Sequence, residues 1–358
     1  MATAPPTTAT SGKTDRVSDH GQARTPLWVW AAVGLAALLP VISKATGLIS
    51  GFTFLQLSLM IVYAIAVLRL NLLTGFNGQI SLGHGAFFAV GAYVAAILIE
   101  HGHWPWWATL PVAAIVCFAA GHLFGRPALR LEGHYLALAT FALAIAVPQM
   151  LKYRHLESIT NGVQGININK PEAPFGLPFS SDQWMYLIVL AIAVLMFWIA
   201  RNLLDSRVGR AMTAIRDHAL AASTMGIDLA RTKTIVFGLS ALYTGVAGAL
   251  HALIFEFVSP DSFRIELSIA LLVGAVIGGV ASLPGAVFGG IFVQVIEKYA
   301  DAAARALERT FHLPVHIEPW TIYGLALILL VYLMPLGIAG GLASLNRWLG
   351  SLWAGTGR

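Results

Sequence analysis

A short polar and glycine-rich stretch interrupts an apolar run that is long enough to cross a membrane. Residues 75–85 read GFNGQISLGHG, and their polar side chains are those of Asn77, Gln79, Ser81 and His84. Polar groups at membrane depth are costly unless they face a bundle interior or a water-filled cavity. We therefore expect these side chains to line a solute pathway at the start of a helix, where unpaired N–H groups favour a carboxylate.

The same residue types also serve helix packing, and this alternative stays open. Gly83, Gly85 and Gly91 permit close contact between helices, and an Asn or Gln side chain can hydrogen-bond a neighbouring helix. Glycines four residues apart recur at Gly274 and Gly278 and at Gly285 and Gly289, where packing is their main predicted role. Pro284 between them predicts a short turn or a broken helix.

The elements that hold these residues are predicted to be membrane helices. Of 358 residues, 57% are hydrophobic and 11% are charged, whereas soluble domains carry about a quarter charged residues. The runs are continuously apolar rather than alternating, which excludes a β-barrel. We predict an all-α polytopic transmembrane bundle of about ten spans, with eight to ten allowed. The candidate spans lie near 27–43, 54–74, 80–99, 106–125, 134–152, 184–203, 232–257, 265–281, 284–300 and 320–340.

The basic residues predict the orientation of the helices. With ten spans and an internal N-terminus, thirteen Lys and Arg residues fall inside and eight outside, as the positive-inside rule requires. The predicted domains are a disordered cytoplasmic tail (1–26), a transmembrane domain (27–345) and a second cytoplasmic tail (346–358). Two long outer connections, 153–183 and 301–319, can receive a partner. The net charge of +5 is spread singly over short loops, which argues against a nucleic-acid surface.

Residues 206–226 predict a short helix on the inner membrane surface. Asp205 or Ser206 can cap its start, and Gly226 followed by Ile227 suits a left-handed C-terminal cap. At about 100° per residue, two faces separate. One face carries Arg210, Ala214, Asp217 and Ala221, and the other carries Met212, Ile215, Ala219 and Ala222. Bulky apolar residues and Lys-rich flanks, typical of a helix that lies on lipid, are missing, so we predict a helix that docks into a partner's groove.

Several blocks together resemble the LivM-type permeases of branched-chain amino acid ABC transporters. The blocks are 75–93 (GFNGQISLGHGAFFAVGAY), 129–140 (LRLEGHYLALAT), 206–250, 259–263 (SPDSF) and 277–290 (IGGVASLPGAVFGG), in the family's order over about residues 50–340. The resemblance implies a bacterial inner-membrane permease for branched-chain amino acids or related solutes, which in relatives include urea, short amides and aromatic carboxylates. It also implies a LivH-like second permease, two cytoplasmic ATPase subunits and a periplasmic solute-binding protein.

The resemblance also implies roles for particular residues. Segment 206–226 corresponds to the coupling helix, whose candidate ATPase contacts are Arg210, Ala214, Arg216, Asp217, Ala221 and Gly226. Tyr135 and Thr140 of the second block join Asn77, Gln79, Ser81 and His84 as pathway candidates. Two departures from the family pattern concern the substrate: His134 replaces an acidic residue, and residues 159–165 (ITNGVQG) contain fewer glycines.

Energy for transport must come from another chain, because the sequence has no G-x-x-x-x-G-K-[ST] loop. We expect no cofactor or metal on this chain, no catalytic residue, and ATP with magnesium on partner subunits. A haem-bearing electron-transfer subunit is one alternative; it would use His84, His134 or His251, but their spacing shows no facing pairs. An ion-coupled transporter or channel is another. It needs charges inside the spans, and Arg69 is placed where snorkelling explains it.

Overall fold

The computed structural model describes residues 27–46, 50–128, 134–174, 178–311, 319–333, 337–341 and 344. The chain divides into two units, residues 1–47 and 48–358. In the first unit the described residues form one helix, α1 (Leu27–Thr46). The two predicted tails, residues 1–26 and 346–358, lie outside the described residues, as do residues 129–133 of the second family block.

The second unit is almost entirely helical in the part that the structure describes. Its α-helices are α2 (Gly51–Leu70), α3 (His84–Glu100), α4 (Trp106–Ala128), α5 (His134–Leu151), α6 (Glu157–Thr160), α7 (Ser181–Asp205), α8 (Arg207–Thr224), α9 (Leu229–Phe255), α10 (Ile265–Gly278), α11 (Leu283–Phe311) and α12 (Pro319–Leu333). A π-helix, Asn71–Gly75, follows α2. Two short antiparallel strands, β1 (Ile166–Asn167) and β2 (Phe257–Val258), pair with Ile166 opposite Val258.

The predicted all-α membrane fold is confirmed. Each of the ten predicted spans coincides with a helix. Among the described residues, five helical segments are long and apolar enough to cross a membrane: 51–75, 106–127, 134–151, 181–205 and 229–255. Helix α10 has 14 residues and therefore extends about 21 Å, less than a bilayer's hydrocarbon thickness. Helix α11, with 29 residues, runs beyond the predicted end at residue 300. Pro284 is its second residue, so the proline marks a helix start after a turn.

Close helix contacts rest on glycines, as the packing prediction stated. A Cβ atom at Gly91 of α3 would collide with the backbone of Gly245 in α9, and one at Gly274 of α10 would meet the backbone of Gly289 in α11. Helix α9 lies at the centre, where α2, α3 and α4 pack around it. Small residues give the backbones the close approach that holds membrane helices together.

The second unit has two ends that matter for function. At the end that we call the α8 end, α7 passes into α8, α8 is followed by α9, and the π-helix closes α2. At the opposite end, the strand end, α9 passes into β2, and the start of α7 lies beside the start of α2, where Asp182 approaches Gly51. Residues 76–83 connect the π-helix to α3 without regular secondary structure.

Candidate functional site

Two polar residues of the first stretch, Ser81 and His84, are joined by a hydrogen bond inside the bundle. His84 is 1% exposed. Its Nδ1 lies 2.8 Å from Ser81 Oγ, and its Nε2 lies 2.8 Å from Ser240 Oγ in α9. Phe87 and Phe237 pack against the imidazole ring. Both ring nitrogens are thus engaged by serine hydroxyls, and the hydrogen bonds join α3 to α9 through one side chain.

Two further hydroxyls tie this stretch to neighbouring helices. Thr140 of α5 accepts a hydrogen bond from the Leu82 amide at 3.0 Å. Ser268 of α10 accepts from the Gly85 amide at 2.9 Å. The expectation that free N–H groups at the start of α3 favour a carboxylate is therefore wrong for Gly85, because a hydroxyl from another helix already satisfies that donor.

Asn77 and Gln79 differ from the rest of the cluster. They are 2% and 5% exposed, and Gln79 donates from Nε2 to the Lys233 carbonyl at 3.4 Å. Both polar atoms of the Asn77 side chain, and Oε1 of Gln79, have no hydrogen-bond partner within the described residues. Buried polar groups are almost always paired. The unpaired atoms of Asn77 and Gln79 are therefore the energetically unfavourable part of the cluster.

Five of the six pathway candidates are buried, and the sixth is exposed. Asn77, Gln79, Ser81, His84 and Thr140 are all buried. Tyr135 is 70% exposed on the surface of α5, apart from the buried candidates, and its pathway role stays a prediction. Leu138 and Ile145 are exposed on the same helix, so the residues that the structure describes leave one face of α5 uncovered.

The predicted caps of the 206–226 helix are confirmed. The Ser206 side chain accepts from the amides of Val208 and Gly209 at the start of α8. At its end Gly226 has φ +84°. The Gly226 amide donates to the Ser223 carbonyl and the Ile227 amide to the Ala222 carbonyl, which is the Schellman arrangement. Sequence signals therefore located both ends of α8.

The two predicted faces of α8 also separate in the structure, although the helix is not continuous. Met212, Ile215 and Ala222 are buried, whereas Arg210, Asp217 and Ala221 are exposed and Ala214 is partly exposed. His218 has extended backbone angles (φ −158°, ψ 92°) and breaks α8 into two helical segments. Its Nδ1 accepts from the Ala221 amide at 3.2 Å, so the side chain caps the second segment. The expectation of one unbroken helix was wrong here.

Arg216 turns towards its own bundle. Its Nη1 donates to the Gly75 carbonyl at 2.9 Å, and its Nε donates to Asp217 Oδ1 at 2.9 Å. The prediction placed Arg216 among the ATPase contacts, but the structure uses its guanidinium to join α8 to the π-helix. On a helical wheel Arg216 lies closer to Met212 than to Arg210, and this signal could have revealed the inward direction.

Arg69 was expected to snorkel to the membrane surface, and the structure shows otherwise. The residue is 1% exposed. Its Nε donates to the Ala66 carbonyl at 2.9 Å, while Nη1 has no partner within the described residues. The explanation by snorkelling is therefore wrong, and α2 carries a buried guanidinium two residues before the π-helix.

The three histidines of the haem alternative do not face one another. His84 is held by two serines, His134 is exposed at the start of α5, and His251 contacts Phe88, Phe255 and Phe263 in an aromatic environment. No group of three His, Cys, Asp or Glu side chains within the described ranges is arranged to hold a metal ion. This arrangement gives the haem reading no support.

Ion pairs join the connections between helices at the strand end. Lys170 lies 2.8 Å from Asp182 and 3.2 Å from Glu256. Burial acts to lower the pKa of Lys170, but its hydrogen bonds to the two carboxylates outweigh this and leave the pKa above its ordinary value. The amine stays charged and ties the 161–174 segment to the start of α7 and the end of α9.

A second group of ion pairs involves Lys152, Asp261 and Arg264. Lys152 Nζ lies 2.7 Å from Asp261 Oδ1, which also accepts from Arg264 at 3.4 Å. The hydrogen bond from Lys152 is the largest of the effects that hold the pKa of Asp261 below its ordinary value. These pairs were missed at the sequence level, because their partners lie far apart along the chain and carry no recognisable spacing.

With the geometry in place, comparison with known proteins identifies the family. Residues 52–334 match the family described as "Branched-chain amino acid transport system / permease component". The chain belongs to this family. The LivM-type resemblance and the multi-pass membrane architecture are thereby confirmed, and the matched range contains α3 to α12 and all of α2 except its first residue, Gly51. No solved structure matches the chain.

Individual relatives agree with the family. The chain is 34% identical over 285 residues to the high-affinity branched-chain amino acid transport system permease protein LivM of Escherichia coli, covering 73% of this chain and 66% of the relative. The LivM protein of Salmonella typhimurium is 35% identical over 66% of this chain and 61% of its own length. A LivH protein of Salmonella typhimurium is 26% identical over 78% of this chain and 91% of its own. The chain thus spans just under two thirds of the LivM relatives.

Proposed function

We propose that the chain is one of two membrane-spanning subunits of an ATP-driven importer for branched-chain amino acids or chemically similar small solutes. A LivH-like permease, two cytoplasmic ATPase subunits with bound ATP and magnesium, and a periplasmic solute-binding protein complete the transporter. The chain itself is not an enzyme and binds no cofactor. It lies in a bacterial inner membrane with its N-terminus in the cytosol. The family match and the names of the relatives support this proposal.

The single observation that carries the proposal is the shape of α8. The helix is capped at both ends, buries Met212 and Ile215 against its own bundle, and leaves Arg210 and Asp217 exposed. Ala214 lies between these charges along the helix, Ala221 follows the break at His218, and both small side chains allow another backbone to approach closely. A helix built in this way suits a groove on an energy-supplying subunit better than a lipid surface, which would select bulky apolar residues.

Solute movement follows an alternating-access cycle in this proposal. Closure of the ATP-bound subunits displaces α8, and the bundle shifts between two arrangements with different affinities for the nucleotide states. The solute passes between the two permeases, with Asn77, Gln79, Ser81, His84 and Thr140 on the side of this chain. Tyr135, on the exposed face of α5, meets the second permease rather than the buried cluster.

The test reverses the exposed charges of α8 in the complete transporter reconstituted in liposomes. Arg210→Glu and Asp217→Lys should each lower uptake per ATP hydrolysed by about tenfold or more, since a like-charge contact at an interface costs more than about 1.4 kcal/mol. Arg231→Glu, an exposed site in the first turn of α9, is the matched control and should keep its coupling. Normal coupled uptake in both α8 variants would refute the docking role.

The buried Arg69 keeps an ion-coupled carrier as a second candidate, because buried charges in membrane helices often mark ion pathways. The two functions differ in their source of energy. Inactivating the ATPase subunits should abolish uptake by the importer, whereas an ion-coupled carrier would continue to transport under an imposed ion gradient.

A further inference from the structure

The segment from Asn71 to Gln79, which we call the inner turn, closes α2 at the α8 end. It begins with the π-helix, in which the Phe76 amide donates to the Asn71 carbonyl at 2.9 Å, and it continues with the Gln79 amide donating to the Leu73 carbonyl at 3.1 Å. Thr74 Oγ1 donates to the Gln79 carbonyl at 2.9 Å. The inner turn is thus held together by its own hydrogen bonds and can move as one piece.

The inner turn carries a concentration of unpartnered polar atoms. Asn71 Oδ1, both polar atoms of Asn77 and Gln79 Oε1 are buried without a hydrogen-bond partner in the described part of the chain. Each such group costs about 1–3 kcal/mol relative to a hydrated one. A rearrangement that admits water to the inner turn would recover this free energy. The unpartnered groups therefore lower the free energy needed to open the closed arrangement.

One side of the inner turn is fastened to α8 by Arg216. The guanidinium donates to the Gly75 carbonyl at 2.9 Å, and the Arg216 Cγ atom lies close to Gly78. The remaining hydrogen bonds of α8 side chains, in the ranges that the structure describes, stay within residues 203–224. Arg216 is therefore the side chain by which a displacement of α8 would act directly on the inner turn.

The other side of the inner turn rests on the connection between α10 and α11. Asn71 Nδ2 donates to the Ser282 carbonyl at 2.7 Å. A Cβ atom at Gly75 would collide with the backbone of Ala281, and Ala281 itself has φ +61°. Pulling the Gly75 carbonyl towards α8 would therefore separate two tightly packed backbones and open the interior beside Asn77.

We propose that the inner turn is the cytoplasmic gate of the solute pathway and that Arg216 is the positioning residue through which α8 opens and closes it. The inference rests on the proposed coupling role of α8 and adds the connection from that helix to the pathway. In the closed state Asn77 and Gln79 are sealed, and in the open state they face water and the leaving solute.

The test measures access to position 77 in the two states of the complete transporter. Cysteine replaces Asn77 in a Cys117→Ser background, with the partner subunits free of cysteine. A charged, membrane-impermeant thiol reagent is added from the cytoplasmic side to nucleotide-free and ATP-trapped complexes. We expect the labelling rate to differ between the two states by about 5- to 150-fold, the usual range of coupling between two sites.

The role of Arg216 is tested by adding a second substitution. Arg216→Gln should remove the difference in labelling between the two states, whereas Arg216→Lys, which retains a charged donor for the Gly75 carbonyl, should restore most of it. Arg231→Gln is the matched loss of one cytosolic arginine and should leave the difference intact. A merely structural role of Arg216 would change expression or melting without changing the dependence of labelling on nucleotide.

Each outcome separates this inference from the proposed function. If Arg216→Gln keeps the full labelling difference, the Arg216 connection is wrong even though α8 still couples. If position 77 labels equally in both states while Arg210→Glu uncouples uptake, the gate is wrong and the docking helix stands. If Arg210→Glu and Asp217→Lys both leave uptake coupled, the proposed function of α8 has failed, whatever the labelling shows.

Discussion

Removing the hydroxyl of Ser240 tests the packing of α3 against α9. Ser240→Ala leaves Nε2 of His84 buried with no partner, since Ser81 already occupies Nδ1 at 2.8 Å. An orphaned buried polar group costs about 1–3 kcal/mol. Opening of the interface should therefore become about 5- to 150-fold more frequent, because about 1.4 kcal/mol corresponds to a factor of ten.

Cys117 provides the assay. It is the only cysteine of the chain, is fully buried in α4, and packs against Gly245 of α9 and the carbonyl of Phe87 in α3. Its thiol becomes reactive only when the helices joined by His84 and Ser240 separate. Alkylation of the Cys117 peptide, followed by mass spectrometry in the purified complex, therefore reports this opening as a rate.

Two controls make the result decisive. Ser223→Ala, on the exposed side of α8, removes a local hydrogen bond and should change stability by less than about 0.5 kcal/mol. The double variant His84→Leu, Ser240→Ala makes both partners apolar. Its loss of stability should be smaller than the sum of the losses in the two single variants by about 0.5–3 kcal/mol. An unchanged Cys117 alkylation rate in Ser240→Ala would refute the reasoning, because the His84 bond would then contribute nothing to helix packing.

Three further predictions concern the two ends of the bundle. Lys170→Met should destabilise the strand end by about 1–3 kcal/mol and speed hydrogen exchange of the Ile168 amide; unchanged exchange would contradict it. Gly226→Ala should destabilise the end of α8 by about 1–2 kcal/mol, the cost of a left-handed residue with a Cβ atom, as measured by exchange at residues 222–227; equal protection would contradict it. Because the pKa of Asp261 is depressed in the folded state, its bridge to Lys152 should stabilise fully above the ordinary carboxyl pKa of about 3.9 and weaken as pH falls below it. The melting temperatures of wild type and Lys152→Met should therefore converge at pH values below this pKa. A difference in melting temperature that does not change with pH would contradict the predicted direction.

Helix α8 illustrates which structural features local sequence signals can predict. Its caps depend on Ser206 and Gly226, whose effects act within four residues, and both were predicted correctly. Its faces followed from the helical period. The break at His218 did not follow, because the imidazole competes with the backbone for the Ala221 amide only in one particular local geometry. The inward direction of Arg216 needed the position of Gly75, a residue 141 positions away along the chain.

The polar cluster shows even more clearly the difference between what the sequence predicts and what only the tertiary structure reveals. Composition predicted that Asn77, Gln79, Ser81 and His84 avoid lipid, since polar groups are costly there. The partners that distinguish satisfied from unsatisfied groups, Ser240 for His84 and Ser268 for the α3 amide, come from other helices. In the sequence, Ser240 and Ser268 are ordinary small residues inside apolar runs, and their spacing does not predict these contacts.

Length, hydropathy and motif order were enough to establish a polytopic helical permease, because the bilayer imposes span length and internal hydrogen bonding on every segment separately. Which helices touch, and which polar atoms find partners, depended on the packing of glycines such as Gly75, Gly91 and Gly245 against distant backbones. Such contacts arise only when helices far apart in the chain meet. The connection from α8 through Arg216 to the inner turn therefore became visible only in three dimensions.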